Sequence, residues 1–319
     1  MQYTSTSLTK FINQQDKVVP FLFILLAVLT YFPLLSTGFT TNDDSLIAVQ
    51  KWSIALTWGS AKALGRVGNL IADPLFRLPY AIDSHIYYSL LRFGTPLVLL
   101  SVLYLFIRRT YKSSALAGLG VVFFLAFIQN NWQHSLLTSY PFIFNLLAIA
   151  FLLSLASFIL YLERGGVYGF IAAALYFVSL LSELFVLFFV VFAGIAILYE
   201  IEQGSQIRFR DKVFSVAKCL WPIILSLFLF LVLYFGWRYF FPTLYAGNSA
   251  SPSSLLRIVN VVWIYSVSGF PGFGFFEHSF APLFFGFWPL GNDVRNLLAE
   301  LRVEWIVKGL IVMYLTGRL

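Results

Sequence analysis

Long apolar runs are the feature that most restricts what this chain can fold into. Val167 to Tyr199 is an apolar run of 33 residues with a single charged side chain, Glu183. A helix needs about 17–25 predominantly apolar residues to cross a bilayer, and several other runs approach or reach that length. The runs are continuous rather than alternating, which disfavours a transmembrane β-barrel. The sequence therefore predicts an all-α, polytopic bundle of transmembrane helices.

Composition excludes the other broad classes. Only 11% of the 319 residues are charged and 60% are hydrophobic, whereas about 25% of the residues of a soluble chain are charged. A soluble enzyme, a nucleic-acid-binding domain and a disordered tail are thereby excluded, and no nucleic acid is expected as a partner. The single cysteine, Cys219, rules out an intrachain disulfide and a cysteine-based metal site.

The apolar runs predict about eight spans, within a range of about seven to ten. Six lie at 18–35, 86–107, 115–128, 141–162, 219–241 and 303–315, and two more lie inside 167–199, joined by a tight turn at Ser182-Glu183. Residues 1–241 then form a seven-span membrane module whose first extracytoplasmic loop is 36–85. Residues 242–319 add a second extracytoplasmic loop and terminal membrane segments.

Lysine and arginine are distributed unequally between the two sets of loops. One set carries ten of them: Lys10, Lys17, Arg108, Arg109, Lys112, Arg164, Arg208, Arg210, Lys212 and Lys218. The opposite set, up to the seventh span, carries four: Lys51, Lys62, Arg66 and Arg77. Because lysine and arginine are enriched in cytoplasmic loops, we predict an integral membrane protein with a cytoplasmic N-terminus.

In this topology most of the unusual polar side chains collect on the extracytoplasmic side. The candidates for catalysis or substrate binding are Asp43, Asp44, Arg66, His85, Gln133, His134, Glu183, Arg238, Glu277 and His278. Ionisable groups near a membrane are costly and are functional candidates by default, so this side is the predicted active face. The histidines and their polar neighbours are more typical of loop hydrogen bonds than of metal ligands. A divalent metal is left open.

The acidic pair Asp43-Asp44 follows a turn and precedes an apolar-rich stretch, 46–64. That stretch suits an extracytoplasmic helix lying along the membrane surface, with Trp52 and Trp58 at the interface. Asn42 or Asp43 can cap this helix. One carboxylate of the pair can also act as a general base, or as a ligand for a metal or a sugar. Both interpretations stay open, and they are compatible.

Two further residues support a charged site. Arg66 lies between small residues in Gly65-Arg66-Val67-Gly68, where a guanidinium can approach a phosphate bidentately. A surface arginine beside a turn glycine is the alternative. Glu183 lies at the predicted turn between two spans, where an unpaired carboxylate is costly. We expect Arg66 or Arg238 to be its partner, in a structural ion pair or in a substrate site.

The layout resembles that of the GT-C superfamily of membrane glycosyltransferases. A cytoplasmic N-terminus, a first span and a long outer loop with an acidic pair near its start are similar to those of bacterial O-antigen glucosyltransferase-like members. The resemblance covers the arrangement of residues 18–241. It implies a protein of the bacterial cytoplasmic membrane that transfers a hexose or pentose from a polyprenyl-phosphate donor to an extracytoplasmic glycan, lipid or protein acceptor.

The resemblance also implies roles for individual residues. Asp43 or Asp44 corresponds to the family's acidic pair, and we expect Asp43 to activate the acceptor hydroxyl with Asp44 in support. Arg66 is expected to face the carrier phosphate. Family members usually continue through further spans, so this chain is expected to be shorter than its relatives or a fragment.

Two other functions compete with glycosyl transfer. A membrane transporter or lipid-carrier flippase places ionisable residues near the bilayer midplane on broken helices, often in repeated halves. Here the polar residues collect at one face and no internal repeat is visible, which favours the enzyme. A non-catalytic membrane scaffold would need neither the acidic pair nor the outer arginines.

Overall fold

The computed structural model describes residues 18–22, 24–25, 27–28, 31–35, 52–82, 84–127, 140, 142–203 and 209–243. Every regular element in these ranges is helical, and no strand occurs among them. The all-α class predicted from the apolar runs is therefore confirmed. The helices whose bounds are defined are α1 (Ile54–Leu64), α2 (Asn69–Arg77), α3 (His85–Tyr111), α4 (Ser114–Phe127), α5 (Ile143–Arg164), α6 (Val167–Ser179), α7 (Phe189–Glu202) and α8 (Phe209–Phe240). The described residues from 18 to 28, and residue 31, are also helical. Short 3-10 helices cover Phe32–Leu35, Leu78–Tyr80 and Glu183–Phe188.

Four helical segments of the described chain are long and apolar enough to cross a membrane. They are His85–Tyr111, Ile143–Arg164, Glu183–Glu202 and Val213–Phe240. Each corresponds to a span predicted from the sequence, and together they support an integral membrane protein. Helix α6 is also apolar but has 13 residues, about 20 Å at the rise of an α-helix and less than a bilayer core of about 30 Å.

The chain folds as two compact units. One contains Met1–Thr40, Pro96–Ser139 and Ser251–Leu319, and the other contains Thr41–Thr95 and Tyr140–Ala250. Helix α3 continues from the second unit into the first, and Pro96 lies inside it. All contacts described from here on lie within the second unit, which contains α1, α2, the start of α3 and α5 to α8. The division at residue 241 stays a prediction.

Helix α6 lies between α5 and α8 and is bound to both by hydroxyl groups. Ser154 Oγ on α5 donates to the Ala172 carbonyl at 2.7 Å, and Ser226 Oγ on α8 donates to the Ala173 carbonyl at 2.9 Å. Gly169 permits this approach, because a Cβ there would lie 2.9 Å from the ring of Tyr161. Small residues and interhelical hydrogen bonds are the usual means of packing helices in membranes, where lipid is as apolar as the side chains.

The apolar run 167–199 is divided as the sequence predicts. Helix α5 turns into α6 through Gly165 and Gly166, whose φ angles of 69° and 65° favour glycine. Helix α6 ends at Ser179, and after a short turn the 3-10 helix Glu183–Phe188 begins the return. The Tyr176 hydroxyl donates to the Phe185 carbonyl at 3.2 Å, which ties the two sides of this turn together. Glu183 therefore lies at a turn between two apolar segments.

Two predicted boundaries need correction. The surface helix does not run unbroken from 46 to 64: α1 begins at Ile54, and its N-cap is Ser53, whose Oγ accepts from the Leu56 N–H at 3.1 Å. The backbone of Ser53 is extended, as is usual for an N-cap. Its side chain accepts a hydrogen bond from a backbone N–H of the first turn that has no acceptor within the helix. Capping by Asn42 or Asp43 therefore does not apply to α1. The seventh span was predicted at 219–241, whereas the apolar segment of α8 is Val213–Phe240; the helix itself begins at Phe209, because the polar residues before the span continue it.

Candidate functional site

The segment Gly65-Arg66-Val67-Gly68 connects α1 to α2 and has a tightly defined backbone. Gly65 ends α1 in the left-handed conformation, with φ of 62°, and its N–H donates to the Lys62 carbonyl at 3.1 Å. The Arg66 N–H donates to the Ala61 carbonyl at 3.0 Å. A glycine at this position is the common way to end a helix and reverse the chain. The base of the Arg66 side chain is thereby held in place.

Gly68 brings this segment against the turn that follows α6. A Cβ on Gly68 would overlap the carbonyl oxygen of Leu181. Its backbone is ordinary right-handed helical, with φ of −57°, so close packing rather than conformation is what requires a glycine. The contact places Arg66 beside Glu183, two residues after Leu181.

Arg66 and Glu183 form an ion pair. Arg66 Nε lies 2.9 Å from Glu183 Oε1, and the two side chains are 37% and 31% exposed. This contact confirms the expectation that an arginine is the partner of Glu183. The residue in direct contact is Arg66 rather than Arg238. Because both side chains are partly open, the pair lies at an edge of the unit and not in its core.

Two residues of α8 complete the group. The Arg238 guanidinium lies over the ring of Tyr234, 4.9 Å from its centroid. The charges of Glu183, Arg238 and Arg66 all contribute to the electrostatic environment of Tyr234, which relates the ion pair to this end of α8. We call Arg66, Glu183, Tyr234 and Arg238 the arginine junction. Three of its members were predicted from the sequence, and Tyr234 was missed because a tyrosine in an apolar run carries no distinguishing signal.

A second ion pair, beside the junction in sequence, has a structural role. Arg77 Nε donates to Asp73 Oδ2 at 3.1 Å, and Thr57 Oγ1 donates to the same oxygen at 2.7 Å. Trp52 Nε1 in turn donates to Thr57 Oγ1 at 3.1 Å. Thr57, Asp73 and Arg77 are all buried. This network binds α1 to α2 and so fixes the segment that carries Arg66.

The other predicted site residues divide into two groups. His85 is exposed at the start of α3, and its Nδ1 lies 3.5 Å from Ser89 Oγ on the next turn. Asp43, Asp44, Gln133, His134, Glu277 and His278 lie outside the described residues. Within the described ranges, no group of three or more His, Cys, Asp or Glu side chains is placed to hold a metal ion.

Arg92 is the charged residue that sequence reasoning overlooked. It lies inside the span of α3 and is fully buried. Its guanidinium lies 5.8 Å from the ring centroid of Tyr88 on the same helix. Asn145 Nδ2 donates to Thr95 Oγ1 at 3.2 Å and joins α5 to α3. A charged residue within an apolar span was the signal that could have identified Arg92.

No family model, curated protein or solved structure matches the chain. The chemistry open to the arginine junction therefore follows from its own groups. Guanidinium groups bind phosphate oxygens through paired hydrogen bonds, and a carboxylate accepts hydrogen bonds from hydroxyl groups. Such a set suits a ligand that carries both a phosphate and hydroxyl groups.

We predict that Gly68→Ala moves Arg66 away from Glu183 and breaks their ion pair. The added methyl group must displace the Leu181 carbonyl, and overpacking of this kind costs about 1–3 kcal/mol. The thermal unfolding midpoint in detergent should fall, and the coupling between Arg66→Gln and Glu183→Gln in a double-mutant cycle should approach zero. Gly59→Ala is the matched control, because a Cβ on Gly59 meets nothing within 4 Å. Parental stability and coupling in Gly68→Ala would show that the close approach to Leu181 does not hold the pair.

Proposed function

We propose that this protein is a membrane glycosyltransferase that uses a polyprenyl-phosphate-linked hexose or pentose as its donor. The acceptor is a glycan, lipid or protein outside the cytoplasm. The arginine junction, with its Arg66–Glu183 ion pair and Arg238 over the ring of Tyr234, is the observation that carries the proposal. These side chains come from three separate parts of the chain, on a protein with several apolar spans.

The charges of the junction suit a leaving phosphate. When a sugar leaves its carrier, the bond between its anomeric carbon and the phosphate oxygen breaks, and negative charge accumulates on the phosphate. Arg66 and Arg238 together carry two positive charges against the single negative charge of Glu183, so the group has an excess of cation. Fixed cations near developing negative charge are among the strongest contributions to catalysis.

The roles proposed for the acidic pair come from the resemblance to the GT-C superfamily. Asp43 removes the proton of the acceptor hydroxyl, with Asp44 in support. Glu183 holds the Arg66 guanidinium in place and offers an acceptor to the hydroxyl groups of the sugar. No step requires a metal, although a divalent ion at the acidic pair is compatible with this scheme.

We also propose the orientation of the chain. The N-terminus is cytoplasmic, about eight helices span the bacterial cytoplasmic membrane, and the arginine junction faces outwards. The contact of the 65–68 segment with the 180–183 turn supports this topology, because both segments belong to the same set of loops in the lysine and arginine count.

Transport of a lipid carrier is the second candidate. Arg92 favours it, because a buried charge inside a span is a common feature of transport pathways. The enzyme is preferred because the arginine junction is partly exposed at helix ends. A flippase would move polyprenyl phosphosugar between the leaflets of a proteoliposome without an acceptor and without forming a glycosylated product.

The first prediction of this proposal concerns topology. In a Cys219→Ser background, Glu183→Cys should react with an impermeant thiol reagent added to intact cells. Lys112→Cys and Arg164→Cys should react only after the membrane is opened, because they belong to the lysine- and arginine-rich set of loops. Labelling of position 183 from the cytoplasmic side alone would overturn the proposed active face.

The second prediction concerns the donor phosphate. Arg66→Ala should weaken binding of polyprenyl monophosphate, and Arg66→Lys should restore it only in part, because an ammonium group lacks the planar pair of donors. The double variant Arg66→Gln with Glu183→Gln avoids an unpaired carboxylate and should still bind the carrier poorly. Arg164→Ala, an exposed arginine at the end of α5, is the control. Parental affinity in all Arg66 variants would leave Arg66 a structural residue.

The third prediction separates catalysis from structure at the acidic pair. Asn has nearly the size and shape of Asp and stays polar, and Ser53 rather than the acidic pair caps α1, so Asp43→Asn and Asp44→Asn should fold and insert normally. A general base typically contributes about 10²–10⁴-fold in rate, so at least one variant should lose sugar transfer in an assay with radiolabelled polyprenyl phosphosugars. Transfer at the parental rate in both variants would remove the acidic pair from the mechanism.

A further inference from the structure

One face of α1 packs against the end of α8 through small and aromatic residues. Trp58, Ala61, Lys62 and Gly65 follow the spacing of a single helix face. Trp237 Nε1 donates to the Ala61 carbonyl at 3.2 Å, which fixes the end of α8 on this face. Ala61 is fully buried. The two helix ends therefore form a rigid corner.

Three aromatic rings gather at this corner. The Trp58 and Trp237 ring centroids are 5.3 Å apart and meet edge to face. The Phe241 centroid lies 4.6 Å from that of Trp237 and 6.0 Å from that of Trp58. We call Trp58, Lys62, Trp237 and Phe241 the lysine–aromatic patch.

Lys62 lies across the rings of this patch. Its Nζ is 4.9 Å from the Trp58 centroid and 4.8 Å from the Phe241 centroid. Among the described residues Lys62 forms no ion pair. Ring faces attract the ammonium charge, but they leave its three N–H donors without full acceptors. The patch thus presents a positive charge, held between two rings, that can bind an anionic acceptor.

The surface around Lys62 is suited to the lipid interface. Trp58 is 43% exposed, and Tyr239 and Phe240 at the end of α8 are 83% and 73% exposed. Aromatic side chains are enriched where membrane spans meet the headgroup layer. Lipid phosphates lie in the same layer, so an ammonium group held at the end of a span can bind one.

We propose that the lysine–aromatic patch binds the phosphodiester of an anionic membrane phospholipid. The Lys62 ammonium contacts the phosphate oxygens, while the exposed ring of Trp58 contacts the glycerol and the upper part of the acyl chains. A choline headgroup is disfavoured, because the ring faces that would hold a trimethylammonium group are occupied by Lys62. This site is separate from the arginine junction and does not depend on the proposed glycosyl transfer.

The test compares lipids and charge variants on the purified full chain. Phosphatidylglycerol should raise the thermal unfolding midpoint in detergent, and phosphatidylcholine should not. Lys62→Met keeps most of the packing of the side-chain stem but removes the charge. It should lower the affinity for phosphatidylglycerol about fivefold, the equivalent of about 1 kcal/mol for one lysine near anionic lipid. Lys218→Met, at an exposed lysine near the opposite end of α8, should leave this affinity unchanged.

Two further variants separate a loss of lipid binding from a loss of folding. Phe241→Leu retains the lysine but removes one of the two rings that fix it, so it should also weaken phosphatidylglycerol binding while Lys62→Arg retains it. Native mass spectrometry then counts the phospholipids that stay bound to each variant. Equal retention of phosphatidylglycerol in Lys62→Met and the parental chain, or equal stabilisation by phosphatidylcholine, would overturn the proposal.

Discussion

The pairing of Glu183 with Arg66 joins the segment between α1 and α2 to the turn after α6. A carboxylate in the middle of a 33-residue apolar run is costly to bury without a partner. The chain meets this constraint by ending α6 at Ser179 and beginning a 3-10 helix at Glu183, which brings the carboxylate to a turn. The segment after α1 then has to reach that turn, and it does so only because Gly68 lets its backbone contact the Leu181 carbonyl.

Hydrogen bonds and close packing elsewhere in the unit hold the 65–68 segment and the turn after α6 in position. Hydroxyl groups of Ser154 and Ser226 bind α5 and α8 to the backbone of α6, and Gly169 lets the three helices approach closely. In lipid, apolar contact alone gives no preference for one neighbour over another, so such small and polar groups determine which helices pack together. The position of Glu183 thus depends on contacts between α5, α6 and α8. Tyr234 and Arg238 on α8 belong to the same arginine junction.

Much of this arrangement was visible in the sequence. The apolar runs predicted the helices α3, α5, α7 and α8, because a span must satisfy all its backbone hydrogen bonds internally and only a helix of sufficient length does so. The break in the long run and the arginine partner of Glu183 followed from the cost of an isolated charge. The start of α1 was predicted wrongly, because Ser53 caps the helix through a local hydrogen bond that hydropathy does not register.

The sequence by itself determined the class of the protein and the identity of its charged residues, because both follow from the transfer of side chains between water and lipid. Only the tertiary structure decided that Arg66 rather than Arg238 contacts Glu183, that Tyr234 joins them, and that Lys62 lies between Trp58 and Phe241. It also revealed Arg92 as fully buried. These contacts join residues far apart in the chain, and their geometry depends on how closely helices approach at a few glycines and serines, which a linear pattern of polarity does not encode.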